Sequence, residues 1–372
     1  MEHYLDNAAT TKPCAEAAAA VMSCISAHYG NPSSLHRKGL EAQHEVEYAR
    51  NQIAGALGCK AQEIVFTSGA TESSNLAIRG AAAAYGRKRK KIVASAVEHA
   101  SVKATLSYLE TLGFTVVTVP PAADGEYHTE DFLREIDSSV CLVSMMLVNN
   151  ENGCRLPVEN VFRMVKRNDP EIITHCDAVQ GFLKIPFKPR TLCADLVSVS
   201  GHKVHALKGV GALYIRHGVR VKPILCGSEQ ERGLRPGTES VPLIASFGAA
   251  TEKLSLNIEE RLERVSQLRS SLIAQLREMD GVIVRDIEGA SPYVLNISLL
   301  GYRSEIVLHY LEQREVYVSS GSACSKGASS GVLELFGAKP AEVDSALRIS
   351  FCAENTEEDI AALVQGLRDA QK

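Results

Sequence analysis

His202, Lys203 and His205 stand within four residues in SVSGHKVHALKG (198–209), directly after an apolar run. A lysine in such a turn is ordinarily solvated. The alternative is a reactive amine held in a site, and the choice depends on what else the chain gathers there. Other apolar runs also end in polar groups. EIVFT (63–67) leads into Ser68-Gly69-Ala70-Thr71, where a hydroxyl and free N–H groups at a helix start make an anion cradle. KIVASAV (91–97) leads to Glu98-His99, and VCLVSMMLV (140–148) to Asn149-Asn150-Glu151. IITHCDA (172–178) carries Asp177, with Gln180 just beyond. Each has a plain explanation as a helix cap or a polar strand end. In an open α/β sheet, however, ligands bind beyond the carboxyl ends of the strands. Five such groups on one edge then supply an anion cradle, an imidazole, an amide, a carboxylate and an amine. That set suits pyridoxal 5'-phosphate, which needs a phosphate cradle, a carboxylate at its pyridinium nitrogen, a lysine at its aldehyde and a flat partner for its ring.

The elements that must position these groups are legible in the hydrophobic pattern. From about residue 40 to 220 short apolar runs alternate with helical periodicity: Val46, Ala49, Ile53 and Leu57 mark a helix over 41–57, and another falls near 101–112. With FTVVTVP (114–120), DLVSVS (195–200) and GALYIR (211–216) they predict an α/β layer with a mainly parallel sheet. VCLVSMMLV, apolar throughout, reads as a strand covered on both faces. After residue 250 the character changes. Leu254, Ile258, Leu262, Val265, Leu268, Leu272 and Leu276 predict one long amphipathic helix ending at Asp280-Gly281. Strands follow at 282–286 and 294–299, and a helix over 355–370 with Thr356 and Asp359 as a capping pair. The expected division is a large domain over 16–249 and a smaller α+β domain formed by 1–15 with 250–372.

Composition narrows the function classes. The 372 residues carry 40 Lys+Arg against 44 Asp+Glu, a net charge of -4, which gives no electrostatic reason to expect nucleic acid or an anionic membrane. No run of 18 apolar residues appears, and the start, MEHYLDNAATTKP, lacks the basic and apolar regions of a signal peptide. A cytoplasmic location is expected. Ten cysteines in such a compartment should be reduced thiols, mostly small core residues such as Cys141. Their spacing shows no C-x-x-C and no Cys/His set of zinc type, so no metal site is expected. Cys324 is different: its neighbourhood, SSGSACSKGASSG, is rich in Gly and Ser and reads as a loop, and Lys326 would favour a thiolate.

Ten segments in order carry a resemblance to a known family: YLDNAATT (4–11), NPSSLHRKG (31–39), FTSGATESSNLAI (66–78), EHASV (98–102), VNNENG (148–153), HCDAVQ (175–180), SGHKVHALKGVGALY (200–214), RPGTES (235–240), SSGSACSKG (319–327) and LRISF (347–351). The chain resembles the cysteine desulfurases, the NifS-like group of the class V aminotransferase superfamily, with the pyridoxal-phosphate fold of type I. The resemblance implies that Lys203 is the Schiff-base lysine and that Ala70, Thr71, Ser200 and His202 hold the phosphate. It places His99 on the ring, Asp177 at the pyridinium nitrogen and Gln180 at the phenolic oxygen. Asn150 would lie near that oxygen and the substrate carboxylate, which Arg348 would clamp through its bidentate fork. Thr238 would reach the phosphate of the second subunit of a homodimer.

Cys324 matches the catalytic cysteine. The implied reaction converts L-cysteine to L-alanine and a Cys324 persulfide for a sulfur-acceptor or scaffold protein, serving iron–sulfur cluster or other thio-cofactor assembly. Lys203 would move the Cα proton, and His99 would manage protons on the substrate thiol or ring oxygen. Three departures stand out. Gly227-Ser228-Glu229-Gln230-Glu231 replaces Gly-Gly-Gly-Gln-Glu before the Arg-Pro-Gly-Thr segment. Cys352 stands where glycine is usual, and the cysteine loop lacks Leu-Glu-Pro-Ser. A selenocysteine lyase or an aminotransferase on the same scaffold are the alternatives. A cysteine loop argues against the latter, which needs no such nucleophile.

Overall fold

A computed structural model describes residues 2–320 and 331–372. Among these the strands are β1 (His3–Tyr4), β2 (Ile64–Thr67), β3 (Lys91–Ser95), β4 (Thr115–Val119), β5 (Val140–Met146), β6 (Ile173–Asp177), β7 (Leu196–Ser200), β8 (Gly211–Ile215), β9 (Val282–Arg285), β10 (Val294–Leu299), β11 (Val316–Tyr317), β12 (Ser319–Ser320) and β13 (Ala346–Ser350). The central sheet runs β2-β8-β7-β6-β5-β3-β4. β8 is antiparallel to both neighbours and the other pairings are parallel. The carboxyl ends of β2, β3, β5, β6 and β7 therefore share one edge, as the apolar runs implied. Every residue of β5, β6, β7 and β8 is buried, because helices cover both faces.

Helix Ala70–Tyr85 packs on one face through Leu76, Ala77, Ile78 and Ala81, together with Val102 and Leu106 of helix Ala100–Thr111. The opposite face joins a larger cluster that includes Val46, Ile53, Phe162 and Phe247. A separate cluster lies around the antiparallel sheet β12-β13-β10-β9 and takes in Leu5, Val265, Leu272, Leu347, Leu363 and Leu367. Helix Glu357–Ala370 begins with the expected capping box, Thr356 with Asp359.

The helix expected to run unbroken from Leu254 is two helices, Val241–Ser255 and Ile258–Arg277, broken at Leu256-Asn257. Leu254 packs into the large cluster whereas Val265 onward packs against the small sheet. One straight helix cannot present its apolar stripe to both. Asn257, with φ −135° and ψ 47°, makes the bend. The cysteines also differ from expectation. Of the nine described, all unpaired, Cys24, Cys141, Cys154 and Cys176 are buried, while Cys226 is exposed and the remaining four are half-buried.

The departing stretch 227–231 is anchored. The carboxylate of Glu231 accepts from Arg50 Nη1 and Nη2 at 2.9 and 2.7 Å and from Phe66 N–H at 2.8 Å, and both charged residues are buried. Removing one partner of such a pair strands the other charge. Glu231→Gln is expected to cost about 3 kcal/mol or more. Urea unfolding measures this, and an unchanged midpoint would refute it.

Candidate functional site

Lys203 follows β7 in a single 3-10 turn, Gly201–Lys203. Its Nζ donates to the carbonyl oxygens of Ala8 and Ala9 at 2.7 and 2.6 Å. The N-terminal segment lies across this turn. Thr11 donates through its N–H and its hydroxyl to the His202 carbonyl at 2.9 and 3.0 Å, and its Oγ1 accepts from His205 N–H at 2.7 Å. The lysine is thus a buried-edge amine held by backbone, and the solvated turn is excluded.

β6 brings Asp177 and Gln180 to the same place. Asp177 is 5% exposed, and its Oδ1 accepts from Val179 N–H at 3.0 Å. Burial pushes its carboxyl above the usual range, while the charges of His99 and Lys203 and the Val179 N–H pull it down. A buried carboxylate of this kind needs a cation against it. Gln180 donates from Nε2 to the Ala8 carbonyl at 3.0 Å and accepts at Oε1 from Lys184 Nζ at 2.8 Å. In its charged form Lys184 can only donate, and that form fixes which way the amide points. Burial, with the charge of Lys203, lowers the Lys184 pKa to about 7.

His99 caps helix Ala100–Thr111. Its Nδ1 accepts from Ser101 N–H at 3.1 Å, so in the neutral ring the proton sits on Nε2. Glu98, beside it, is buried. Its Oε1 accepts from Ser95 Oγ at 2.5 Å and Met146 N–H at 2.6 Å, while Oε2 has no partner among the described residues. Burial foremost, reinforced by Asp177, raises its pKa to about 8. A protonated Glu98 adds no negative charge beside Asp177.

The anion cradle forms where β2 meets helix Ala70–Tyr85, with Ala70 and Thr71 as its first residues and Gly69 before them. Gly211 of β8 touches this corner: a Cβ there would come within 2.7 Å of the Gly69 Cα, so only glycine admits the approach. Glu72 accepts from Ser68 N–H at 2.7 Å and from Arg235 Nε at 2.9 Å, which ties the 235–240 segment, with exposed Thr238, to the same corner. Ser200 is buried. His202 meets Thr10 Oγ1 at 3.2 Å, and burial with the charges of Lys203, Lys208 and Lys184 lowers its pKa to about 4.

Arg348 enters from β13. Its Nη2 donates to Asp6 Oδ1 at 2.8 Å and its Nη1 to the Asn150 carbonyl at 3.2 Å, while Nε is buried without a partner among the described residues. Asn150 is half-buried; its neighbour Asn149 organises the turn by accepting from Glu151 and Asn152 N–H. Cys324 lies outside the described residues. The strand that leads towards it, β12, pairs Ser319 with Arg348.

The arrangement fits pyridoxal phosphate on three observations. The buried Asp177 carboxyl makes no ion pair among the described residues and feels His99 and Lys203 only through their charges, a glycine lets β8 approach a helix N-terminus closely, and a backbone-held amine stands beside an oriented amide. Asp6, Lys184 and the Ala8 and Ala9 carbonyls are participants the sequence pattern did not single out, and Glu98, noted there only as a strand-end polar group, turns out to be a buried acid. The YLDNAATT segment and the spacing of Lys184, four residues beyond Gln180, were the available signals.

The aminotransferase class-V family model matches residues 3–363. A cysteine desulfurase of Trichormus azollae is 38% identical over 368 residues, covering 97% of this chain and 91% of that protein. A solved NifS-like protein is 35% identical with a TM-score of 0.94, covering 100% of this chain and 99% of its own. A solved protein called SspA, in complex with cysteine, is 30% identical with a TM-score of 0.83, covering 96% and 100%.

Glu98 generates a pH prediction. Its folded pKa, about 8, lies above its ordinary value of 4.5, so the folded state holds the extra proton and stability falls as pH rises between them. The expected slope from this group is up to about 1.4 kcal/mol per pH unit. Glu98→Gln should remove that part of the decline. Urea midpoints of the two proteins that run parallel from pH 5 to 8 would contradict it.

Proposed function

We propose residue roles for a chain that belongs to the aminotransferase class-V family and, within it, is a cysteine desulfurase. The observation that carries the assignment is the Lys203 amine beyond β7, beside buried Asp177 and oriented Gln180. Pyridoxal phosphate, when bound, supplies an electron sink for the pair released at the substrate Cα. Ala70, Thr71, Ser200 and His202 hold its phosphate. Asp177 keeps the proton on the ring nitrogen by its negative charge. Gln180, aimed by Lys184, donates to the phenolic oxygen, and His99 stacks on the ring.

The substrate is L-cysteine. Arg348 binds its carboxylate through the fork now shared by Asp6 and the Asn150 carbonyl, with the unpartnered Nε as a further donor. Asn150 stands beside that carboxylate. Lys203 takes the Cα proton. The Cys324 thiolate then bonds to the substrate sulfur as the substrate Cβ–S bond breaks. The pair from the broken Cβ–S bond takes a proton at Cβ, Lys203 returns a proton to Cα to complete L-alanine, and the sulfur remains as a Cys324 persulfide for an acceptor or scaffold protein. The acceptor differs from that of the housekeeping iron–sulfur members in this reading, because the cysteine loop lacks their Leu-Glu-Pro-Ser. Among the described residues no helix is long and apolar enough to cross a membrane. A cytoplasmic enzyme is the reading that fits.

Two substitutions separate the roles. Lys203→Ala should lose both the covalently held yellow chromophore after dialysis and all alanine production. Cys324→Ser should keep the chromophore and lose sulfur release, because a hydroxyl is a poor nucleophile towards sulfur at neutral pH. Mass spectrometry after one turnover of the wild type should place the extra sulfur on the Cys324 peptide. Persulfide found on Cys352, or full desulfurase activity in Cys324→Ser, identifies another thiol as the acceptor.

The working unit is a homodimer in this reading. Thr238 is exposed at the same corner as the anion cradle, held there by Arg235 and Glu72. A second subunit would receive it. Sedimentation should give a dimer, and Thr238→Ala should weaken cofactor retention severalfold without dissociating it. A fully active monomer would overturn this.

A further inference from the structure

His205 lies 147 residues before Cys352, which stands two residues before Glu354, and the ligand atoms of all three lie within 4.8 Å of one another. His205 Nε2 and Glu354 Oε2 are 3.6 Å apart. The other ring nitrogen, Nδ1, is 2.9 Å from the Lys12 carbonyl oxygen. A carbonyl only accepts, so Nδ1 carries the proton and Nε2 is the lone-pair nitrogen of the neutral ring. That lone pair faces a carboxylate. Two acceptors this close call for a cation between them.

We propose that His205 Nε2, Cys352 Sγ and the Glu354 carboxylate form a binding site for a borderline-soft divalent cation of the zinc class, with water as fourth ligand. Bonds of about 2.0–2.3 Å put tetrahedral neighbours roughly 3.3–3.6 Å apart. The His205–Glu354 separation already meets this. The remaining adjustment is about 1 Å, and Glu354, with a side chain 57% exposed, has room to make it. Mixed N, S and O donors favour zinc over magnesium or calcium, which take oxygen ligands.

The surroundings hold the ligands in place. An imidazole that donates its other N–H to a carbonyl is the usual outer support of a metal-bound histidine. The His205 backbone is fixed at φ 58°, with its N–H on Thr11 Oγ1 and its carbonyl accepting from Cys14 N–H at 2.9 Å. Cys352 donates from N–H and Sγ to Asn355 Oδ1 at 2.8 and 3.4 Å. Lys184, Lys203 and Arg261 border the same cleft. Both a thiolate and a carboxylate are therefore needed to balance the ion, and the Cys352 proton leaves to solvent as the metal binds. The sequence showed no zinc-type spacing because the ligands come from two distant segments. His205 is two residues past Lys203, and Cys352 follows β13, which carries Arg348. A bound ion would staple these segments together and stabilise the fold by preferring it to the unfolded chain.

The test uses cofactor-loaded protein in a Cys324→Ser background, so that the loop thiol does not compete. After dialysis against a chelator, zinc is titrated and counted by elemental analysis, and cobalt(II) reports thiolate coordination through its visible bands. One zinc per chain is expected, with a raised melting temperature. Cys352→Ser, His205→Gln and Glu354→Gln should each weaken binding about tenfold or more. Glu354 is exposed, so its variant keeps the fold whatever the others do. Substoichiometric zinc, or unchanged affinity in Cys352→Ser and Glu354→Gln, overturns the proposal and leaves a protonated His205–Glu354 ion pair. The metal count is independent of turnover, so either result leaves the desulfurase mechanism standing on its own test.

Discussion

The Ala8 carbonyl is the point on which the site depends. It accepts from Lys203 Nζ at 2.7 Å and from Gln180 Nε2 at 3.0 Å, so one backbone oxygen sets the distance between amine and amide. The segment that supplies it is fixed at both ends. On one side Asn7 donates to the Ser350 carbonyl at 3.0 Å and Ala8 N–H to Ser350 Oγ at 2.8 Å. On the other, Thr11 grips the Lys203 turn. Because Ser350 ends β13 and Lys203 follows β7, this short strap holds the two sheets in register.

Around that strap the chain buries groups that would be costlier to bury alone than to expose. Asp177, Glu98, Lys184 and His202 each have a pKa moved by burial foremost, the carboxyls upward and the bases downward. The shifts have complementary effects. Glu98 and His202 become neutral near pH 7, while the charges of His99 and Lys203 oppose the upward push of burial on Asp177. His175, two residues before Asp177, is neutral for the same reason and meets Ser144 and Ser198 at 2.8 and 2.9 Å, locking β6 between β5 and β7. Such concentrations of displaced titratable groups belong to reactive sites more than to cores.

The small sheet contributes one charge, and its placement is as constrained. Arg348 is 6% exposed and leans on Asp6, whose carboxyl burial raises against the pull of that same guanidinium. The pair joins the N-terminal strap to β13, so the strap, the lysine turn and the arginine strand form one continuous hydrogen-bonded unit. A substrate carboxylate entering there would compete with Asp6 for the fork.

Much of this was legible in the sequence for physical reasons. Alternating apolar runs identify strands covered on both faces. Parallel strands put their carboxyl ends on one edge, so Ser68, His99, Asn150, Asp177 and Lys203 had to converge. Thr356 and Asp359 cap a helix by a strictly local pattern, and it forms as read. Long-range choices were not legible. The helix through Leu254 and Val265 breaks at Asn257 because two cores compete for one apolar stripe, which periodicity alone does not reveal. The Arg50–Glu231 pair, 181 residues apart, the Ala8 carbonyl beneath Lys203, and the meeting of His205 with Cys352 and Glu354 follow from chain crossings. The sequence determined which chemistry is carried and on which edge. Tertiary packing decided which protons those groups hold, because burial and the nearest charge are properties of the folded neighbourhood.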